Sequence, residues 1–256
     1  MARAQAVAEV WRGKFREAVH MGHAVVCDAQ GEIIHAWGDP DLVFLPRSAV
    51  KIVQALPMVE SGAADAYGLT DRQLALACAS HIASDIHVDA VSAWLAELGL
   101  GPEHLACGPQ EPEDISTRDA LIIGGQTPGR IHNNCSGKHS GMLTFARHTG
   151  AGLDYAQPDH PLQRAIKTAF EDLTDQPVPG HAIDGCSAPN FAGSLRGFAR
   201  AMARIAVAKE GGGARAQAAF VGDVDADHGC SGSRKCEGLR WVSSRAIARR
   251  AVRRGP

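Results

Sequence analysis

The spacing of hydrophobic and polar positions changes along the chain from strand-like to helix-like. Residues 23–37 hold two short apolar runs around a polar turn at 29–32, where Gly31 is free to adopt a positive φ, and this pattern predicts a β-hairpin. From residue 47 onward the apolar positions recur every three to four residues, as in amphipathic helices. The helices predicted in this way cover 47–62, a segment that begins at 70–73, 85–98, most of 134–148, 161–173 and 187–208. This order of elements predicts a mixed α/β domain.

Length and composition are those of one large globular domain. The chain has 256 residues, of which 45% are hydrophobic, and this is enough to build a sizeable core. The formal net charge of −2 gives no strong attraction to nucleic acid or to a membrane surface. The N-terminus lacks the apolar region of a secretory signal, and no uncharged apolar stretch is long enough for a membrane span, so we expect a cytoplasmic protein.

The cysteines and histidines give no metal site or disulfide framework by spacing alone. Seven cysteines are an odd number, which favours reduced thiols in a cytoplasmic chain. Cys27 and Cys78 lie in apolar runs and are expected to be small core residues. The twelve histidines show no His-x-x-x-His pattern, so metalloprotease chemistry has no support.

Ser48 and Lys51 stand three residues apart at the start of the first predicted helix. Positions i and i+3 share a helix face, so the lysine amine can reach the serine hydroxyl. A serine becomes a nucleophile when a base takes its proton, and a lysine serves as that base when burial lowers its pKa. The same Ser-x-x-Lys spacing supplies the nucleophile in penicillin-binding proteins and class A β-lactamases. The alternative is an exposed pair on a solvated helix face.

Three further segments accompany this pair. They are Cys78-Ala79-Ser80-His81, the run His132-Asn133-Asn134-Cys135-Ser136-Gly137-Lys138-His139-Ser140-Gly141-Met142, and Ile183-Asp184-Gly185-Cys186-Ser187-Ala188-Pro189. In this order and spacing, over about residues 5–210, the chain resembles the asparaginase II family of thermolabile, Rhizobium-type L-asparaginases. The resemblance implies a serine β-lactamase-like and glutaminase-like α/β fold, in which helices flank a central, mostly antiparallel sheet. It also implies hydrolysis of asparagine to aspartate and ammonia, a bound zinc ion and a homodimer.

The resemblance also assigns roles to particular residues. Its catalytic residues are the nucleophile Ser48, the base Lys51 and a supporting Ser80, and which of the two serines attacks stays open. The substrate contacts that it implies are Arg47, His81, Asn133 and Asn134. The zinc ligands that it implies are Cys135, Lys138 and Cys186, with Asp184 close by. The zinc would have a structural or substrate-positioning role, since a lysine binds zinc only when deprotonated.

Some of these roles have a structural alternative. His81 could instead satisfy a buried hydrogen bond, and Asn133 and Asn134 could cap the helix that follows them. The two cysteines of the implied zinc site could be free thiols beside a polar site. The family usually continues from Ser-His into a Ser-Gly-Glu-type loop, whereas this chain has Ile82-Ala83-Ser84-Asp85, and a bulky apolar residue there would change the substrate contacts.

The character of the chain changes after a run of three glycines at 211–213. Residues 214–256 carry nine basic and four acidic side chains, whereas residues 1–213 carry 17 basic and 24 acidic ones. We therefore expect two regions, an incomplete asparaginase II-like catalytic domain over 1–213 and a divergent basic tail over 214–256 that is disordered or loosely packed. The alternative for the tail is a natural basic segment that binds a partner.

Three functional hypotheses remain. The first is an L-asparaginase that acts through Ser48 and Lys51 on a small-molecule substrate, with no nucleic-acid or membrane partner. The second is a broader serine amidase or β-lactamase-like hydrolase on the same scaffold, against which the zinc-ligand segments argue. The third is an inactive remnant of the family, because the divergent tail stands where the resembled family supplies a lysine partner for the second serine.

Overall fold

The computed structural model describes residues 3–208, which form two compact units. The first contains residues 3–46, 167–182 and 190–208, and the second contains residues 47–166 and 183–189. The strands are β1 (Gln5–Arg12), β2 (Phe15–Gly22), β3 (Ala24–Cys27), β4 (Ile33–Trp37), β5 (Val43–Phe44), β6 (His181–Ile183), β7 (Pro189–Phe191) and β8 (Gly193–Ser194). The helices are α1 (Lys51–Glu60), α2 (Ala63–Ala66), α3 (Asp71–Cys78), α4 (Asp85–Glu97), α5 (Ile115–Ile123), α6 (Ser136–Thr149), α7 (Pro161–Thr174) and α8 (Leu195–Ala206). The mixed α/β content is confirmed.

The strands pair in twos. β1 with β2, β3 with β4 and β5 with β8 are antiparallel pairs, and β6 pairs with β7. The hairpin predicted over 23–37 is confirmed as β3 and β4, and Gly31 has a φ of 86° in the turn between them. No sheet within residues 3–208 has more than two strands. The central sheet and the specific fold that the resemblance implies therefore stay predictions.

In the first unit, α8 packs against β3. Sγ of Cys27 donates to the carbonyl of Ala199 at 3.3 Å, and the rings of Phe44 and Phe198 meet edge to face with centroids 5.7 Å apart. Cys27, which the sequence predicts as a core residue, is half-buried at this contact. The predicted tail 214–256 lies outside the described residues.

The helix predicted over 187–208 begins later than expected. The chain first forms β7 and β8, and α8 starts only at Leu195. Ser194 explains this start, because its side chain accepts a hydrogen bond from the Gly197 N–H at 2.9 Å and so acts as the N-cap. Gly193 and Ser194 are held as a strand by pairing with β5, which the helical spacing of apolar residues could not reveal.

The helix predicted over 47–62 consists of two consecutive pieces, and the stop predicted at Gly62 is confirmed. A 3₁₀ turn over Arg47–Val50 precedes α1, and Gly62, with a φ of 78°, separates α1 from α2. The helix start predicted at 70–73 is confirmed, because Thr70 and Gln73 form a capping box at the N-terminus of α3. No helix among residues 3–208 combines the length and the apolar character that a bilayer span requires.

Helix α6 is the central helix of the second unit. Its residues Ser136–Ala146 are all buried, and it contacts α1, α2, α3 and α4. The approach to α3 is closest at Gly137, where an added Cβ would lie 2.7 Å from the carbonyl oxygen of Leu76. One turn later a Cβ on Gly141 would lie 3.2 Å from both Ala77 Cβ and Met58 Sδ. Glycine at these positions allows α6 to pack at this distance from α3.

Gly137→Ala should destabilise the protein. A Cβ at 2.7 Å from a backbone carbonyl forces α6 away from α3, and overpacking of this kind costs about 1–3 kcal/mol. This cost exceeds the gain of about 1 kcal/mol that alanine brings over glycine in a helix. Gly180→Ala is the matched control, because no atom lies within 4 Å of its added Cβ. Urea denaturation measures both variants, and equal stability of Gly137→Ala and wild type would contradict the packing analysis.

Candidate active site

A buried lysine lies beside an exposed serine in the second unit. Lys51, the first residue of α1, is 2% exposed, and its Nζ donates to Oγ of Ser80 at 2.7 Å and to the carbonyl of Ala79 at 2.9 Å. Burial lowers the pKa of Lys51 from its ordinary value of 10.5, and the nearby Cys135 partly opposes this effect. A lysine in this environment releases its proton more readily, which is the property that a general base needs.

Ser48 lies in the 3₁₀ turn before α1 and is exposed. The Ser-x-x-Lys spacing predicts a contact between Ser48 and Lys51, but within residues 3–208 the side-chain oxygen that Lys51 contacts is Oγ of Ser80. Nζ of Lys51 is engaged by the segment after α3, which supplies both the Ser80 hydroxyl and the Ala79 carbonyl. Ser48 and Ser80 are both exposed residues, whereas Lys51 is buried.

Backbone strain marks the loops of this site. Arg47, Ala83 and Ser187 have φ angles of 53°, 59° and 69°, in the left-handed region that non-glycine residues rarely adopt. They stand beside Ser48, just after His81, and just after Cys186 in the chain. Each such residue costs about 1–3 kcal/mol, and strain of this kind clusters at functional sites.

Arg47 and Asp184 form an ion pair at the entrance to the 184–188 turn. Nε of Arg47 lies 2.7 Å from Oδ1 of Asp184, and the carboxylate side chain is only 15% exposed, whereas that of Arg47 is 67% exposed. The Asp184 carboxylate also accepts a hydrogen bond from the Gly185 N–H at 2.9 Å. Asp184, which is predicted to lie near the zinc ion, thus forms an ion pair with Arg47, which is predicted to contact the substrate.

Two cysteines and a lysine form a buried cluster behind Lys51. Cys135 is the N-cap residue of α6, Lys138 lies in the first turn of that helix, and Cys186 lies in the 184–188 turn. Nζ of Lys138 lies 3.1 Å from Sγ of Cys186. A hydrogen bond from Cys135 lowers the pKa of Cys186, with smaller contributions from His139 and Lys138, and the same hydrogen bond together with burial raises the pKa of Cys135. The two thiols thus interact directly, and the Lys138 amine lies beside Cys186.

The cluster suits a zinc ion only if the lysine takes part. Cys135, Lys138 and Cys186 are 6%, 4% and 5% exposed, and they bring two sulfur atoms and one nitrogen atom together. In the described part of the chain, no three histidine, cysteine, aspartate or glutamate side chains form a group that could hold a metal ion. A zinc site here would therefore use Lys138 as its nitrogen ligand, in accord with the preference of zinc for sulfur and nitrogen.

His81 uses both of its ring nitrogens within the protein. It is 3% exposed, its Nδ1 accepts from the Ala83 N–H at 3.1 Å, and its Nε2 lies 2.8 Å from Oγ of Ser136. The Ser136 hydroxyl donates to the carbonyl of Ile131, so His81 carries its proton on Nε2 and donates to Ser136. This geometry favours the structural alternative for His81 over substrate binding.

The two asparagines have different surroundings. Asn133 is buried, its Nδ2 donates to the carbonyl of Gly108 at 2.9 Å, and its Oδ1 accepts from the Cys135 N–H at 2.9 Å. It therefore caps the start of α6. Asn134 is half-buried and is held by its backbone, because its carbonyl accepts from the His81 N–H at 3.2 Å. Its side-chain amide stays available for a ligand, since no hydrogen bond within residues 3–208 uses it.

The structure adds residues to the site that the sequence analysis did not single out. His139 and Tyr155 are fully buried next to the sulfur cluster, and Nδ1 of His139 lies 2.9 Å from the Tyr155 hydroxyl. Burial lowers the pKa of His139 to about 4. Cys135 and His139 are four residues apart on one helix face, a spacing that could have indicated His139. No local signal points to Tyr155.

Two comparisons with known proteins bear on the family of this chain. The family model described as L-asparaginase II matches residues 8–226. The chain belongs to the L-asparaginase II family. A comparison with curated proteins gave no match. The family match extends past the glycines at 211–213, so the resemblance reaches further along the chain than the sequence analysis expected.

All eleven site residues predicted for this L-asparaginase II family member lie in the second unit. Two of them contact Lys51, namely Ser80 through its hydroxyl and Cys135 through its thiol. The turn that carries Cys186 also carries Asp184, which pairs with Arg47. For Ser48, the third predicted catalytic residue, no side-chain hydrogen bond is found within residues 3–208.

Replacing His81 should weaken the dependence of stability on pH. Burial lowers the pKa of His81 from 6.5 to about 3. Between these values the unfolded chain binds a proton that the folded chain does not, so the free energy of unfolding falls as pH drops below 6.5. Each such proton adds a slope of about 1.4 kcal/mol per pH unit. His81→Asn, which keeps an acceptor for the Ala83 N–H, should reduce the slope by about one proton in urea titrations across this range, and an unchanged slope would contradict the lowered pKa.

Proposed function

We propose that this chain hydrolyses the side-chain amide of L-asparagine to L-aspartate and ammonia. Membership of the L-asparaginase II family supports the reaction class. The observation that carries the mechanism is the buried Lys51 amine, which contacts the exposed Ser80 hydroxyl at 2.7 Å and has a lowered pKa. This pairing of a desolvated lysine with an accessible serine is the arrangement required for covalent amide hydrolysis.

In the proposed reaction, Oγ of Ser48 attacks the side-chain amide carbon of asparagine. The Ser48 proton passes through the Ser80 hydroxyl to Nζ of Lys51, which explains why Lys51 contacts Ser80. Lys51 returns the proton to the departing nitrogen as the C–N bond breaks, and ammonia leaves a β-aspartyl ester on Ser48. Water then hydrolyses the ester with the same base. Backbone N–H groups at the start of α1 are the proposed donors to the oxyanion.

The zinc ion implied by the family resemblance has a place in this proposal as a positioning element. Cys135, Lys138 and Cys186 would hold it, and the bound ion would neutralise the buried sulfur charge and fix the 184–188 turn to α6. That turn carries Asp184, whose carboxylate holds Arg47 beside Ser48. Arg47 and the free amide of Asn134 are the proposed contacts to the polar groups of the amino acid. A homodimer and a cytoplasmic location stay predictions.

Ser48→Ala should abolish asparagine hydrolysis while leaving the fold intact. Loss of a covalent nucleophile costs on the order of 10⁶ in rate in a serine protease, and loss of the Ser80 relay should cost about 10²–10⁴. Ammonia release from asparagine and from glutamine, together with the colour change when a chromogenic β-lactam ring opens, measures activity and separates an asparaginase from a broader serine hydrolase. Ser61→Ala is the control, because Ser61 binds a backbone carbonyl within its own helix turn.

A covalent label decides between the two serines. A diazoketone analogue of asparagine should attach to Ser48, as shown by peptide mass mapping. If Ser48→Ala retains a tenth of wild-type activity and the label maps to Ser80, the nucleophile is Ser80. Absence of ammonia release from asparagine by the folded wild-type chain would overturn the proposed function.

Cys135→Ser and Cys186→Ser should each abolish binding of one zinc ion per chain. Serine is a poor zinc ligand compared with a thiolate. Among the described residues, no group of three histidine, cysteine, aspartate or glutamate side chains could hold the ion instead. Elemental analysis after zinc loading measures the content. Cys27→Ser is the matched control, since Cys27 lies in the first unit and donates to a backbone carbonyl. Unchanged zinc content in both site variants would show that the site is elsewhere or absent.

A further inference from the structure

His139 carries a polar atom that the site described so far does not explain. The side chain is fully buried, and its Nδ1 lies 2.9 Å from the hydroxyl of Tyr155. Its other nitrogen, Nε2, is buried and has no hydrogen-bond partner within residues 3–208. Cys186 is a neighbour of this imidazole, since each of the two side chains shifts the pKa of the other. Because Nδ1 is engaged by Tyr155, this contact falls to Nε2.

The contacts of Tyr155 determine which nitrogen of His139 bears the proton. The Tyr155 oxygen accepts a hydrogen bond from the Ala106 N–H at 2.7 Å, and Tyr155 is fully buried. If the hydroxyl donates to Nδ1 of His139, the backbone proton and the phenol proton each have an acceptor, and the Nε2 proton is left for the Cys186 sulfur. In the other tautomer Nδ1–H would donate to the Tyr155 oxygen, and the phenol proton would lose its only described acceptor. A buried hydroxyl rarely leaves its proton unused.

We propose that Tyr155 holds His139 in the Nε2–H tautomer, so that His139 is a positioning residue that donates a hydrogen bond to the Cys186 sulfur and is not itself a zinc ligand. The role rests on the proposed zinc site at Cys135, Lys138 and Cys186. It extends that site by a chain of contacts that runs from the Ala106 backbone through Tyr155 and His139 to the sulfur. Donors of this kind orient a metal-binding sulfur without occupying a coordination position.

The tautomer can be read directly in the full-length protein. In ¹⁵N-histidine-labelled chain, long-range ¹H–¹⁵N NMR should show His139 protonated on Nε2 and unprotonated on Nδ1, with the signal assigned by its loss in His139→Gln. The Nε2–H signal should shift in Cys186→Ala and stay in place in Cys27→Ala, whose sulfur lies in the first unit. A proton on Nδ1 in the wild type, or a signal that ignores Cys186→Ala, overturns the proposal whether or not zinc binds.

Tyr155→Phe tests the positioning role. It removes one buried oxygen and keeps the ring, so Nδ1 of His139 loses its donor and the tautomer is no longer fixed. Zinc affinity, measured by competition with a chromophoric chelator, should fall about 10–100-fold, as for other residues that support a metal ligand. Thr144→Val is the matched control. It removes a buried hydroxyl from α6, the helix that carries His139, and this hydroxyl donates to the Ser140 carbonyl at 2.9 Å.

The outcomes separate this inference from the proposed function. If the wild type binds no zinc, the proposed metal site fails, and the NMR result alone decides the tautomer and its contact to Cys186. If zinc binds and Tyr155→Phe changes the tautomer but not the affinity, the positioning role is wrong although the site is right. If Tyr155→Phe fails to fold, His139→Gln, which keeps an N–H donor, should retain more zinc affinity than His139→Leu, and equal affinities would overturn the proposal.

Discussion

The close approach of α6 to α3 is the constraint on which the site depends. The contact at Gly137 places the start of α6 against the carbonyl of Leu76, in the last turn of α3. The chain leaves α3 directly into Ala79 and Ser80, and the backbone of Asn134 binds the His81 N–H at 3.2 Å. The serine segment and the sulfur cluster are therefore fixed to each other by backbone contacts, which have less freedom than side chains. A side chain at 137 would separate the two halves of the site.

Lys51 connects these two halves through its buried amine. It is the first residue of α1, yet its hydrogen bonds go to the segment after α3, and its charge interacts with Cys135 at the start of α6 and with Cys186. A second lysine, Lys138, lies in the same interior and is balanced by the Cys186 sulfur at 3.1 Å. Burying two amines is costly, and the protein offsets the cost with sulfur, a hydroxyl and backbone carbonyls. For Lys51, burial lowers the pKa of the amine.

The histidines of the site illustrate how burial separates structural from chemical roles. His81 follows a predicted catalytic serine, but both of its ring nitrogens form hydrogen bonds within the protein, one as donor and one as acceptor. Burial lowers its pKa and keeps the ring neutral. His139 is also buried with a lowered pKa, yet its Nε2 has no hydrogen-bond partner in the described chain. The hydrogen bonds that a buried histidine makes therefore indicate its role better than its position in a sequence motif does.

The sequence by itself determined the family segments, the β3–β4 hairpin, the capping box at Thr70 and the extent of α6, because turn residues, caps and apolar periodicity act locally. It also determined which polar residues stand together in the chain, from Ser48 to Cys186. Only the tertiary structure decided that Lys51 contacts Ser80, that Arg47 pairs with Asp184, and that Tyr155 lies behind His139. Tertiary contacts likewise set the start of α8, where β8 pairs with β5. These contacts join residues many positions apart, and their distances follow from how helices pack and not from any local pattern.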